Sequence, residues 1–165
     1  MNMTQEEKEK VNPKFEVGDL ISGANSVYRI ISLNDELNSY IAVTQDDEEV
    51  KIPYSFDDEQ GHKYPYHFWS LKDAKECDII VCESGWACIF KGIHDRVWYS
   101  SYCFITAEGE FYPGYEMHNI YSTINGNPSL ATREQRALFF KRMIEEGYYW
   151  DAKNKKVINL QNDKI

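Results

Sequence analysis

Short apolar runs recur along the chain, and two of them share an opening. Val17-Gly18-Asp19-Leu20-Ile21 starts one, and Cys77-Asp78-Ile79-Ile80-Val81 starts the other. A polar lead-in precedes each, Lys14-Phe15-Glu16 or Lys75-Glu76. A second apolar run soon follows each, Val27-Tyr28-Arg29-Ile30-Ile31 or Ala87-Cys88-Ile89-Phe90. Repetition of a corner followed by two apolar runs predicts two small antiparallel β units in series.

Turn residues divide the first stretch into strands at Phe15–Ser22, Ser26–Leu33, Ser39–Thr44 and Glu49–Pro53. The punctuation is Gly23-Ala24-Asn25, Asn34-Asp35 and Gln45-Asp46-Asp47. Short strands at roughly 8–12-residue spacing favour a small barrel or sandwich. A Gly-Asp corner before an apolar strand is the opening of an SH3-like barrel, so residues 13–56 are expected to form one. Residues 1–12 read as a charged tail, and 57–66 as a polar, aromatic linker. Residues 67–160 then read as an antiparallel meander with a C-terminal helix and β-hairpin, and 161–165 as a tail. The expected class is α+β, mostly β.

In the second stretch, strands are expected at Asp78–Glu83, Trp86–Ile93, Val97–Thr106 and Glu110–Tyr115. Ser70-Leu71-Lys72-Asp73 has the form of a helix start, good for about one turn before the next strand. Asn125-Gly126-Asn127-Pro128-Ser129 reads as a loop. Thr132-Arg133-Glu134-Gln135 is a capping box, which predicts a helix over 133–146 with Gly147 beyond its end. A helical period puts Ala137, Phe139, Phe140, Met143 and Ile144 on one arc, and Arg136 falls within it. Tyr148-Tyr149-Trp150 and Lys155–Leu160 flank Asp151-Ala152-Lys153-Asn154 as a hairpin.

Two segments of this second stretch resemble a known family. One is Phe68-Trp69-Ser70-Leu71-Lys72-Asp73-Ala74-Lys75-Glu76-Cys77-Asp78-Ile79-Ile80-Val81. The other is Ala131-Thr132-Arg133-Glu134-Gln135-Arg136-Ala137-Leu138-Phe139-Phe140, continued by Glu145-Glu146-Gly147-Tyr148-Tyr149-Trp150-Asp151-Ala152-Lys153. Together they resemble an uncharacterised family of gut Bacteroides-type bacteria, their phages and mobile elements. The likeness covers most of residues 14–160. Cys77 stands where that family's pattern has a glycine. The resemblance implies a phage or mobile-element source and carries no catalytic residues with it.

Charge separates the two stretches further. The net charge of −9 lies entirely in residues 1–60, which hold 14 acids and 5 bases, whereas 61–165 hold 13 of each. Aromatics run the other way, 5 of 24 before residue 61 and 19 after it. An acidic unit therefore precedes a neutral, aromatic-rich one, an asymmetry that bears on partners. A neutral surface lacks the basic stripe that a phosphate backbone needs, so direct nucleic-acid binding is not expected. No run approaches the roughly 20 apolar residues of a membrane span. The polar N-terminus, with no apolar leader, leads to a cytosolic expectation, in a bacterium or an infected host.

Chemistry is sparsely marked. Cys77, Cys82, Cys88 and Cys103 lie in apolar strand-like runs, which reads as structural core rather than a zinc site. His62 with His67 near Asp57-Asp58-Glu59 is the nearest approach to a metal cluster, and a solvated linker is the simpler reading. A nucleophilic site would pair Cys82 or Cys88 with His94, with no elbow or oxyanion hole beside it. No phosphate loop, dinucleotide fingerprint or hydrolase motif occurs, so neither catalysis nor a cofactor is expected.

The binding candidates are aromatic and acidic. Val97-Trp98-Tyr99-Ser100-Ser101-Tyr102-Cys103-Phe104 would show Trp98, Ser100, Tyr102 and Phe104 on one strand face. Trp98, Tyr102, Tyr112 and Tyr115, with Arg136 as an anion contact, are the candidate residues for a protein partner or small ligand. The acidic clusters Asp46-Asp47-Glu48-Glu49 and Asp57-Asp58-Glu59 form a second candidate surface. The leading expectation is a non-catalytic binding protein. The alternative is a DNA-mimic-like acidic inhibitor of a host DNA-binding or defence protein, and a virion component is third.

Overall fold

In the computed structural model, residues 13–23, 26–57, 66–95, 97–119 and 127–161 are described. The expected tail 1–12, nearly all of the linker 57–66, and most of the tail 161–165 lie outside them.

The repeated opening is one and the same turn. Gly18 has φ +95° and Cys77 has φ +77°. The Gly18 amide donates to the Ile30 carbonyl at 2.8 Å, and the Cys77 amide to that of Phe90 at 2.8 Å. Asp19 Oδ2 accepts from the Glu16 amide at 2.7 Å, and Asp78 Oδ2 from the Lys75 amide at 2.8 Å. A short carboxylate that bonds its own backbone closes the corner, and a left-handed residue turns it. Glycine takes that conformation freely, whereas a side chain costs about 1–2 kcal/mol there. Glycine also loses about 0.5–1 kcal/mol more chain entropy on folding. Cys77→Gly should therefore raise stability by about 0.5–1 kcal/mol, read as a higher urea midpoint.

From each corner a meander unwinds with the same topology. The first has β1 (Leu20–Gly23), β2 (Ser26–Asn34), β3 (Ser39–Val43) and β4 (Glu49–Pro53). After the 3₁₀ turn Tyr54–Asp57, β5 (His67–Phe68) returns beside β1, giving the order β4-β3-β2-β1-β5. The second has β6 (Ile79–Cys82), β7 (Ala87–Ile93), β8 (Trp98–Ile105), β9 (Phe111–Tyr112), β10 (Glu116–Asn119) and β11 (Pro128–Leu130). Its order is β10-β8-β7-β6-β11, with β9 paired to β8. All pairings are antiparallel. A capping box follows the returning strand both times. Asp73 Oδ2 takes the Ser70 amide at 2.9 Å, while Thr132 and Gln135 exchange bonds of 2.9 and 3.2 Å. The first box opens only the 3₁₀ turn Leu71–Asp73, and the second opens α1 (Arg133–Glu145). β12 (Tyr148–Asp151) and β13 (Lys156–Asn159) form the hairpin.

The described residues are thus mostly β, with three antiparallel sheets and one α-helix. Among the described residues neither five-strand path closes into a barrel. The chain divides between Trp69 and Ser70, so His67–Trp69 complete the first unit rather than open the second. The pairing Ile21↔Phe68 and the Phe68 ring set edge-on to Phe15 at 5.1 Å hold them there. Of the expected loop Asn125–Ser129, residues 125–126 lie outside the described ones, and Pro128 and Ser129 begin the edge strand Pro128–Leu130, whose first residue needs no donor. Pro113-Gly114 breaks the expected Glu110–Tyr115 strand, and β10 begins beyond it.

Each unit has its own core. Phe15, Ile21, Ile30, Tyr40, Ala42, Ile52 and Tyr54 fill the first. In the second, Phe139 and Met143 of α1 press on Ile79, Ala87, Ile89, Cys103 and Ile105. The buried stripe of α1 is narrower than its apolar arc, because Ala137 and Ile144 face solvent.

Candidate functional site

Shared topology allows the two units to be compared position by position through their registers. Tyr40 pairs Ile52 in the first, and Tyr99 pairs His118 in the second. Ile30 opposes Ala42, and Phe90 opposes Ser101. The second unit departs from the first at Tyr102. Ile89 faces Cys103 and Phe90 faces Ser101, so Tyr102 bulges without a partner; Lys91, passed over between Phe90↔Ser101 and Gly92↔Ser100, matches Ile31 of the first unit. A bulge breaks the alternation of a strand. Tyr102 accordingly packs with the Cys103–Phe139 core, whereas Phe104 stacks on Trp86 and Tyr112 in a separate aromatic group. The expectation that Tyr102 and Phe104 share a face is therefore corrected by this bulge.

A polar cluster forms around the bulge. The Tyr102 hydroxyl donates to the Glu76 carboxylate, which also takes Lys155 Nζ at 2.8 Å. Trp150 lies against the Tyr102 ring at 5.1 Å between centroids. Lys91 Nζ sits 5.2 Å from the Tyr102 ring centre and 4.9 Å from that of Tyr115, within cation–π range of both. The Lys155 hydrogen bond, then that of Tyr102, holds the Glu76 carboxyl below its usual range. Burial, reinforced by Glu76, pushes the Tyr102 phenol up to about 12, so it stays a donor at neutral pH.

Tyr115, immediately before β10, continues the surface. Its hydroxyl lies 3.0 Å from Met117 Sδ and 3.4 Å from His94 Nε2. Met117 is paired with Ser100, and Trp98 lies two residues along β8 on the same pleat face. Trp98 is 40% exposed and Tyr115 52%. At the equivalent positions the first unit carries Ser39 for Trp98 and Lys51 for Met117.

Of the five candidate contact residues, Tyr102 and Tyr115 thus meet across Lys91, and Trp98 extends the same surface. Tyr112 belongs elsewhere, stacked on Phe104 at 4.9 Å with its hydroxyl on Glu110. Arg136 is half-buried on α1; burial raises the Asp78 carboxyl, and Lys75 and then the Arg136 charge oppose that shift. None of the five lines the cavity of about 480 Å³ in this unit.

Cys82, Cys88, Cys103 and His118 are buried. His94 Nε2 lies 2.7 Å from Ser100 Oγ, not beside Cys82 or Cys88, and Ser100 is fully enclosed. Burial pushes the thiols of Cys82 to about 11 and Cys103 to about 12, and that of Cys88 upward as well. Such thiols stay protonated at neutral pH and are poor nucleophiles. His118 Nε2 lies 2.8 Å from Ser101 Oγ, with both residues buried. Among the described residues, no three His, Cys, Asp or Glu side chains gather as metal ligands, and no helix is long and apolar enough to cross a membrane. The exposed acidic residues Asp46–Glu48 form the β3–β4 turn and Glu49 opens β4, with Thr44 Oγ1 accepting the Asp46 and Glu48 amides at 3.3 and 3.1 Å. Asp57 ends the 3₁₀ turn, and Asp58 and Glu59 lie outside the described residues.

No protein-family model matches the chain, and no curated protein or solved structure matches it either.

Proposed function

We propose that the protein is a non-catalytic binding protein that docks a protein partner on the Trp98–Met117–Tyr115–Lys91–Tyr102 surface. One observation carries this reading. Where the first unit has Ser39 and Lys51, the second has Trp98 and Met117, beside an exposed tyrosine. Trp, Tyr and Met are enriched in the centres of protein interfaces, where a few such anchors dominate affinity. The five-strand antiparallel order β4-β3-β2-β1-β5 supports reading the first unit as SH3-like, with its sheet open among the described residues. The family resemblance supports a phage or mobile-element protein at work in a bacterial or infected-host cytosol.

A pull-down from bacterial lysate tests this. Trp98→Ala with Tyr115→Ala should lower retention of the specific partner by at least about thirtyfold, since each anchor contributes 1–2 kcal/mol or more. Both side chains are exposed, so the fold should persist. A second reading rests on the exposed acidic β3–β4 turn, which would attract a basic protein as an inhibitor does. Under it, capture would survive the alanine pair but fail on reversing the charges of Asp46–Glu49 and in high salt.

A further inference from the structure

A cavity of about 480 Å³ opens in the second unit between α1 and the turns that follow β6 and β8. It has the volume of a small-molecule site. Its floor is apolar, from Ala87, Ile105 and Phe139. Leu138 forms a lip and is 65% exposed. The rim is cationic, with Lys141 and Arg142 against one acid, Glu145.

The two cations differ. Arg142 donates to the Gly109 carbonyl from Nε at 3.2 Å and Nη2 at 2.9 Å, and faces Glu145 and Glu146 at 3.8 and 3.7 Å. It ties α1 to the turn after β8 and so holds one wall in place. Lys141 has no partner among the described residues, and stands one helical turn from Leu138. An apolar floor and lip beside an unpaired cation complement a molecule with an apolar chain and a single negative head.

We infer that this cavity binds a medium-chain linear carboxylate, its chain along Phe139 and Leu138 and its head on Lys141. This site stands apart from the proposed protein-docking surface and does not depend on it.

Calorimetric titration of the full chain with hexanoate, octanoate, decanoate and uncharged decanol tests it. Decanoate should bind, and affinity should rise about fourfold per added methylene. Lys141→Glu should weaken decanoate about tenfold or more and leave decanol unchanged. Leu138→Asp should weaken both. Each replaced side chain is exposed, so thermal melts without ligand should match the parent. Absence of decanoate binding, or binding to both variants as to the parent, would overturn the inference. So would methyl or aromatic NMR shifts that spare Phe139 and Ile105.

Discussion

Phe139→Ala should destabilise the second unit by about 3–5 kcal/mol. Phe139 is 3% exposed and, with Met143, provides the buried contact of α1 with the sheet. Its ring meets Phe140 edge-on at 5.7 Å. Truncation removes a whole buried ring, and its neighbours are strand residues that cannot collapse into the void. Loss of α1 would then uncover Ile89 and Cys103, now fully buried. Phe15, Tyr40 and Tyr54 belong to a different core, so the damage should stay in the second unit. Hydrogen exchange reads this directly: amides of β6–β8 and α1 should lose protection while those of β2–β4 keep theirs. Leu138→Ala, one residue away and exposed, should cost less than about 0.5 kcal/mol.

Acid should weaken the same unit through His118. This histidine occupies the position of Ile52 in the first unit, and Ser101 that of Ala42. Trp86, Tyr99 and Phe104 surround the imidazole with centroids at 4.7, 5.1 and 5.1 Å. Burial among these rings disfavours the charged form and lowers its pKa from 6.5 to about 4. The unfolded chain therefore binds the proton more readily than the folded one between those values. Stability from this group is intact above about pH 6.5, declines as pH falls, and is level below about pH 4. The full difference is roughly 3 kcal/mol. His118→Ile with Ser101→Ala copies the first unit's apolar pair and should remove this dependence at little cost near pH 7. His118→Ile alone should cost about 1–3 kcal/mol at pH 7, because the Ser101 hydroxyl is left buried without its partner. Urea midpoints measured from pH 4 to 7 for parent and variants decide the matter.

Both meanders were legible because half-buried strands alternate and Gly-Asp or Cys-Asp corners mark where they begin. The capping box of α1 was equally plain, since Thr132 and Gln135 satisfy each other locally. The returning strands were not, because His67–Phe68 and Pro128–Leu130 are too short for a period and owe their form to a partner strand. At the site, the exposed Trp98 and Tyr115 follow from the aromatic run and its flanks. The inserted Tyr102 does not, because one extra residue reverses facing without changing composition. Glu76 with Lys155 joins residues 79 apart, and Ser101 with His118 residues 17 apart, and neither spacing carries a local signal. The resemblance between units was clear at their openings, whereas the replacement of Ile52 by His118 emerges only from register.

Photo-crosslinking from two equivalent positions tests the proposed docking surface most directly. A benzophenone side chain is placed at Met117 in one sample and at Lys51 in the other, and each is irradiated in bacterial lysate. The aromatic surface of the second unit predicts a discrete crosslinked protein from position 117, competed away by unlabelled parent, and none from position 51. Equal crosslinking from both positions, or crosslinking only from position 51, would contradict it.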